Sequence, residues 1–100
     1  MFTDLHLLEA ADFSGLINQT LFIRFNEQVR LPAELIAVNT WGESNLKREA
    51  FSVTLRTEQK DNYYPQAVYT LEHPVKGDMQ IFLAPLGFDD KGLKYEAVFS

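Results

Sequence analysis

The sequence contains no cysteine, which excludes disulfides, thiolate metal ligands and a cysteine nucleophile. Basic residues are scarce too. Nine Lys and Arg stand against fourteen Asp and Glu, the net charge is −5, and only Lys47 and Arg48 are adjacent among the bases. Without a basic stripe to neutralise phosphates, neither nucleic acid nor an anionic membrane surface is an expected partner. No apolar run approaches the ~20 residues that a membrane-spanning helix needs. The first residues, "MFTDLHLLEAADF", have neither the basic start nor the unbroken apolar stretch of a signal peptide. The expectation is a cytoplasmic protein.

What is present is a hydrophobic and aromatic chain. Hydrophobic residues make up 46% of it and thirteen residues are aromatic, eight of them Phe. That suffices for the core of one domain spanning residues 1–100, and it favours β structure, where flat and branched side chains pack on a pleated face. Helix is expected only within residues 4–18, with Thr3 as cap, Asp4 in the first turn and Gly15 as an interruption. Such a segment is placed to plug an open end of a sheet structure.

Six short hydrophobic runs follow: 20–25, 33–41, 51–57, 67–73, 79–86 and 93–100. The alternation is cleanest in "FSVTLRT", with Phe51, Val53 and Leu55 inward and Ser52, Thr54 and Arg56 outward. In "AELIAVNTW", strict alternation sets Leu35, Ala37, Asn39 and Trp41 against Ile36, Val38 and Thr40. The connectors "FNEQVR", "HPVKGDM" and "FDDKGLK" carry hairpin chemistry, whereas 42–49 and 58–66 are longer, polar and expected to be mobile. Strands spaced this way, with little helix between them, predict a mainly β domain. It should be a small antiparallel six-stranded barrel or sandwich with a short N-terminal helical segment.

Candidate chemistry is sparse. In "GFDDKG", Asp89 and Asp90 offer hard oxygen ligands, but Lys91 and Lys94 compete for them and the spacing is not that of a calcium loop, so a turn is expected. His6 and His73 are isolated, and Glu72 lies on the opposite face of a strand from His73. No serine sits in a nucleophile-elbow frame. No catalytic residue, metal site or cofactor is assigned, and an enzyme is not expected. The aromatic residues Tyr63, Tyr64 and Trp41 are candidate partner contacts, one of the two tyrosines being expected to lid the barrel instead. The last strand belongs either to the sheet or to an edge through which the protein self-associates.

The motifs "REAFSVTLR" (48–56), "PQAVYTLEHP" (65–74), "IFLAPLGF" (81–88) and "YEAVFS" (95–100) together resemble a small bacterial domain family of unknown function, DUF6916. The resemblance extends loosely to "ADFSGLINQTLFI", where a glycine usual in the family before the first strand is replaced by Asn18 or Gln19. It brings no catalytic residues. It implies a non-enzymatic interaction or assembly module that binds another protein, through a genomic association with phage-tail-like or surface-fibre components. It also draws attention to Tyr69, His73, Tyr95 and Glu96, polar groups in otherwise apolar strands that each need a partner. They are expected to form a hydrogen-bonded set that pins strand register, for instance His73 with Tyr95 or Glu96. The alternative is a polar pocket, used by a small-ligand-binding or cryptic enzymatic barrel.

Overall fold

A computed structural model describes residues 8–43 and 49–99, the side chains of 41–43 and 49 excepted. Expectations that fall on Thr3, Asp4 and His6, on segment 44–48 and on the Trp41 side chain lie outside the described residues. Six strands, β1 (Thr20–Arg24), β2 (Arg30–Glu43), β3 (Glu49–Thr57), β4 (Ala67–His73), β5 (Gly77–Phe88) and β6 (Leu93–Phe99), follow one short helix, α1 (Ala11–Ser14). All pairings are antiparallel and the sheet closes as β1-β2-β3-β6-β5-β4, with β4 returning to β1. The structure is therefore a barrel, and closure leaves β6 inside the sheet, between β3 and β5, rather than at an edge.

The inner face is what period-two patterning dictates. Leu21 and Ile23 of β1, Leu35 of β2, Phe51, Val53 and Leu55 of β3, Leu71 of β4, and Met79, Ile81 and Leu83 of β5 form one continuous core with β6. Cross-strand registers such as Leu35↔Leu55, Leu55↔Tyr95 and Tyr69↔Ile81 stack these side chains in layers across the lumen.

Strict alternation fails in β2. Leu35 pairs with Leu55 but Ala37 pairs with Thr54, so Ile36 is an extra residue in a bulge. Beyond it the parity inverts. Val38 pairs with Val53 and packs against the core, while Ala37 takes the outer face. Further shifts lie between Trp41 and Glu43 in β2 and between Pro85 and Gly87 in β5. In β3, Ser52 and Thr54 hold the outer parity but are buried, being short side chains flanked on both sides, by Asn39 and Val98 and by Ala37 and Glu96.

Turn chemistry holds at three points. Asn18 takes φ 74, the left-handed conformation that Asn tolerates better than most residues. Its N–H donates to Leu35 O, and Leu35 N–H donates to Gln19 O, which joins the helical segment to β2. In the β5–β6 hairpin Asp89 Oδ1 accepts the N–H groups of Lys91 and Gly92 at 2.8 and 2.9 Å, an Asx turn. Gly92 is required by close approach, since a Cβ there would lie 1.8 Å from Thr57 O.

Candidate functional site

The two mouths of the barrel are where polar side chains meet the core. At one mouth α1 lays Phe13, fully buried, over Phe51 and Phe99 at centroid distances of 6.0 and 5.7 Å. Phe51 and Phe99 are themselves stacked at 4.6 Å. Leu8 is buried beside them in the same core. His73, at the end of β4, meets Phe13 edge-on at 5.3 Å and 86°. Its Nε2 lies 2.7 Å from Asp12 O, and its Nδ1 faces the N–H groups of Val75 and Lys76 at 3.1 and 3.0 Å. Two donors at Nδ1 make that atom the acceptor, so the proton sits on Nε2 and is donated to Asp12 O.

The other mouth is crossed by segment 58–66, which leads from β3 to β4 over the open end. Most of its residues are exposed, while Gln59 and Tyr64 are half-buried against the mouth. Tyr64 stacks on Phe25 at 4.4 Å and 13°, with Tyr69 and Tyr95 against the same Phe25 ring at 4.8 and 5.3 Å. Tyr95 OH donates to Gln59 Oε1 at 2.9 Å and accepts Tyr64 N–H at 3.1 Å; Tyr69 OH donates to Pro65 O. Thr57 Oγ1 also donates to Gln59 Oε1, at 2.8 Å. Burial pushes both the Tyr69 and the Tyr95 phenol up from the ordinary value; for Tyr95 the bonds to Tyr64 N–H and Gln59 oppose it in part.

The four polar residues singled out from the sequence therefore do not form one cluster. Tyr69 and Tyr95 belong to the lid, His73 to the plug at the opposite mouth, and Glu96 to the outer face, where it pairs with Thr54 and Ala84 in register. The expected bond from His73 to Tyr95 or Glu96 is replaced by bonds to backbone groups, because strand parity turns Glu96 outward and Tyr95 caps the other mouth. Of the partner-contact candidates, Tyr64 is the lid and Tyr63 is 59% exposed. The acidic turn "GFDDKG" turns Asp89 toward its own amides and toward Arg56 Nη1 at 3.1 Å, which holds its carboxyl below the ordinary value. Among the described residues no group of three or more His, Asp or Glu could hold a metal ion. No helix among them is long and apolar enough to cross a membrane.

The outer face shows what strand reading left unassigned. Val68 of β4 and Phe82 of β5 are direct cross-strand partners, both more than half exposed. Val98 of β6 is equally exposed, two residues past Glu96, where the β5–β6 register ends. Toward the lid, Tyr63, Pro85, Leu86, Phe88 and Leu93 line a shallow groove of about 300 Å³. The signal was in the alternation itself: Val68, Phe82 and Val98 occupy positions whose strand neighbours already fill the core. Elsewhere the outer face is charged. Arg30 Nε and Nη2 grip the Glu72 carboxylate, both at 2.9 Å, and the Arg30 guanidinium lies 3.7 Å from the Phe22 ring centroid. Arg24 reaches Glu72 and Asp78.

These features define a small closed β-barrel with a filled lumen, a helical plug, an aromatic lid and exposed apolar residues on the outer face of β4, β5 and β6. Residues 8–99 match the profile of a domain of unknown function, DUF6916, and the chain belongs to that family. No curated protein and no solved structure matches it significantly.

Proposed function

We propose that the domain is a non-enzymatic protein-interaction or assembly module, and that its partner docks on the outer face of β4, β5 and β6. The observation that carries this is the cross-strand pair Val68 and Phe82, apolar, adjacent and solvent-facing, together with the exposed Val98 of β6 and the groove residues Leu86, Phe88 and Tyr63. A protein that fills its own lumen binds by its exterior, and contiguous exposed apolar area is the part of an exterior that gains most from being covered. The partner is a tail-like or surface-fibre component, following the family's genomic association. With a net charge of −5 on this chain, its matching surface is apolar at the centre and basic at the rim.

The test is pull-down of a purified fibre component encoded beside this gene, using the wild-type chain and Phe82→Glu, with circular dichroism to show that the variant keeps its sheet. Wild type should retain the component and Phe82→Glu should lose it. Equal retention by both places the contact elsewhere, and no retention by either removes the assembly reading. The alternative of one polar pocket shared by Tyr69, His73, Tyr95 and Glu96 is less well supported, because they are divided between two mouths and the outer face.

A further inference from the structure

One buried side chain ties the N-terminal plug to the barrel wall, and it ties it through a ring nitrogen that can take up a proton. His73 is 5% exposed and makes contacts in two directions. Through Nε2 it donates to Asp12 O on α1, and through Nδ1 it accepts Val75 N–H and Lys76 N–H of the β4–β5 turn. Phe13, next to Asp12, sits edge-on to the same imidazole and carries the plug's contact with Phe51 and Phe99.

We propose that His73 is a proton-operated latch: the neutral imidazole holds α1 in the barrel mouth, and protonation of Nδ1 opens the turn and releases the plug. The stereochemistry gives the direction. A neutral imidazole with its proton on Nε2 satisfies all three bonds. A proton on Nδ1 turns that acceptor into a donor facing two other donors, so both turn bonds are lost and two amides are left without their acceptor. The latched state is thus present when the imidazole is neutral and lost when it charges.

Among the described residues, the ionisable neighbours do not supply a compensating acceptor at Nδ1. Asp12 on α1 directs its carboxylate to Glu9 N–H at 2.8 Å and to Lys76 Nζ at 3.6 Å. Lys76 adds a positive charge beside the turn. Glu72, adjacent in β4, faces outward to Arg24 and Arg30, and Asp78 of β5 pairs with Arg24. The other ring against His73 is that of Phe13, which offers its edge. What the latch covers is the aromatic seat made by Phe51 and Phe99, buried in the plugged barrel.

The experiment follows the full chain by NMR between about pH 8 and pH 5. Long-range proton–nitrogen spectra report which His73 nitrogen carries the proton. Amide exchange, corrected for its intrinsic pH dependence, reports Val75, Lys76 and residues 8–18. The expected result is an Nε2-protonated neutral ring, and a loss of protection of roughly tenfold or more at Val75, Lys76, Phe13 and Leu16 once the ring is charged, equivalent to about one net hydrogen bond. A neutral ring protonated at Nδ1, or protection that stays level across the titration, overturns the proposal. His73→Asn supplies the second arm, because the Asn carboxamide can cap the turn amides but does not charge. Its protection at Val75 and Lys76 should become independent of pH. A pH response that persists in His73→Asn assigns the effect to Asp12 and also overturns the latch.

Discussion

At one mouth of the barrel Phe13, Phe51 and Phe99 stack beneath a four-residue helix that is tethered by one imidazole. At the other, Phe25, Tyr64, Tyr69 and Tyr95 stack beneath a crossing segment tethered by phenol hydroxyls. Both ends use aromatic area to exclude water, because six strands leave a lumen just wide enough for rings at its ends. They differ in the polar group that completes the closure. An imidazole gains charge in acid and a phenol in alkali, so opposite changes of pH act on opposite ends of the same core.

The largest way to break this comparison is to remove the aromatic contribution at one end. Phe13→Ala deletes a fully buried ring and should cost about 3–5 kcal/mol of unfolding free energy in urea titration. Tyr64→Ala, at a half-buried lid position, should cost distinctly less; equal losses would mean that plug and lid are equivalent covers. Next in size is Tyr95→Phe, which keeps the ring but removes both the donor to Gln59 and the acceptor for Tyr64 N–H. A loss of about 1–2 kcal/mol is expected, with amide exchange at Tyr64 accelerated and exchange in α1 unchanged. Acceleration in α1 as well would show that the two ends open together.

The smallest effect is in alkali. Tyr69 and Tyr95 have phenol values raised by burial, so the stability they carry is complete below the ordinary tyrosine value of about 10. It is lost as pH rises through their higher folded values. Phenolate absorbance recorded with the urea midpoint should show two late-titrating tyrosines and a midpoint that begins to fall at about pH 10, before they ionise, and levels once they have. A midpoint that stays level until the late-titrating tyrosines ionise would contradict that assignment.

Much of this architecture is legible in the chain. Period-two runs located all six strands to within a few residues, and the turn residues Asp89, Gly92 and Gly77 located the hairpins. Closure was not legible, because a barrel differs from a sandwich only in whether β1 meets β4 and β3 meets β6, and those pairings leave no local mark. The bulge at Ile36 was hidden for a related reason: an extra residue shifts parity, and a run of apolar residues on both sides conceals the shift. Tyr64 as a lid could be read from a tyrosine pair in a polar connector. The partners of His73 could not, since they are backbone groups, and Asp12 O lies far away in the sequence. Tyr95 and Glu96 drew notice as a polar pair, but strand parity alone separates them.

The β1–β4 seam carries a consequence for folding. It is the junction that turns a curved sheet into a barrel, and it rests on the three residue pairs Phe22↔Glu72, Ile23↔Leu71 and Arg24↔Thr70, against seven between β3 and β6. The strands it joins are distant in the chain, so the loop entropy of closing it is met late, after the β1–β2, β4–β5 and β5–β6 hairpins have formed. Across that short ladder run Arg24 to Glu72 and Asp78, and Arg30, which reaches over β1 to Glu72. Exposed ion pairs add little to equilibrium stability. Placed on a seam that closes late, what they do add slows reopening rather than speeding closure, so raised ionic strength should shorten the closed lifetime of the barrel slightly.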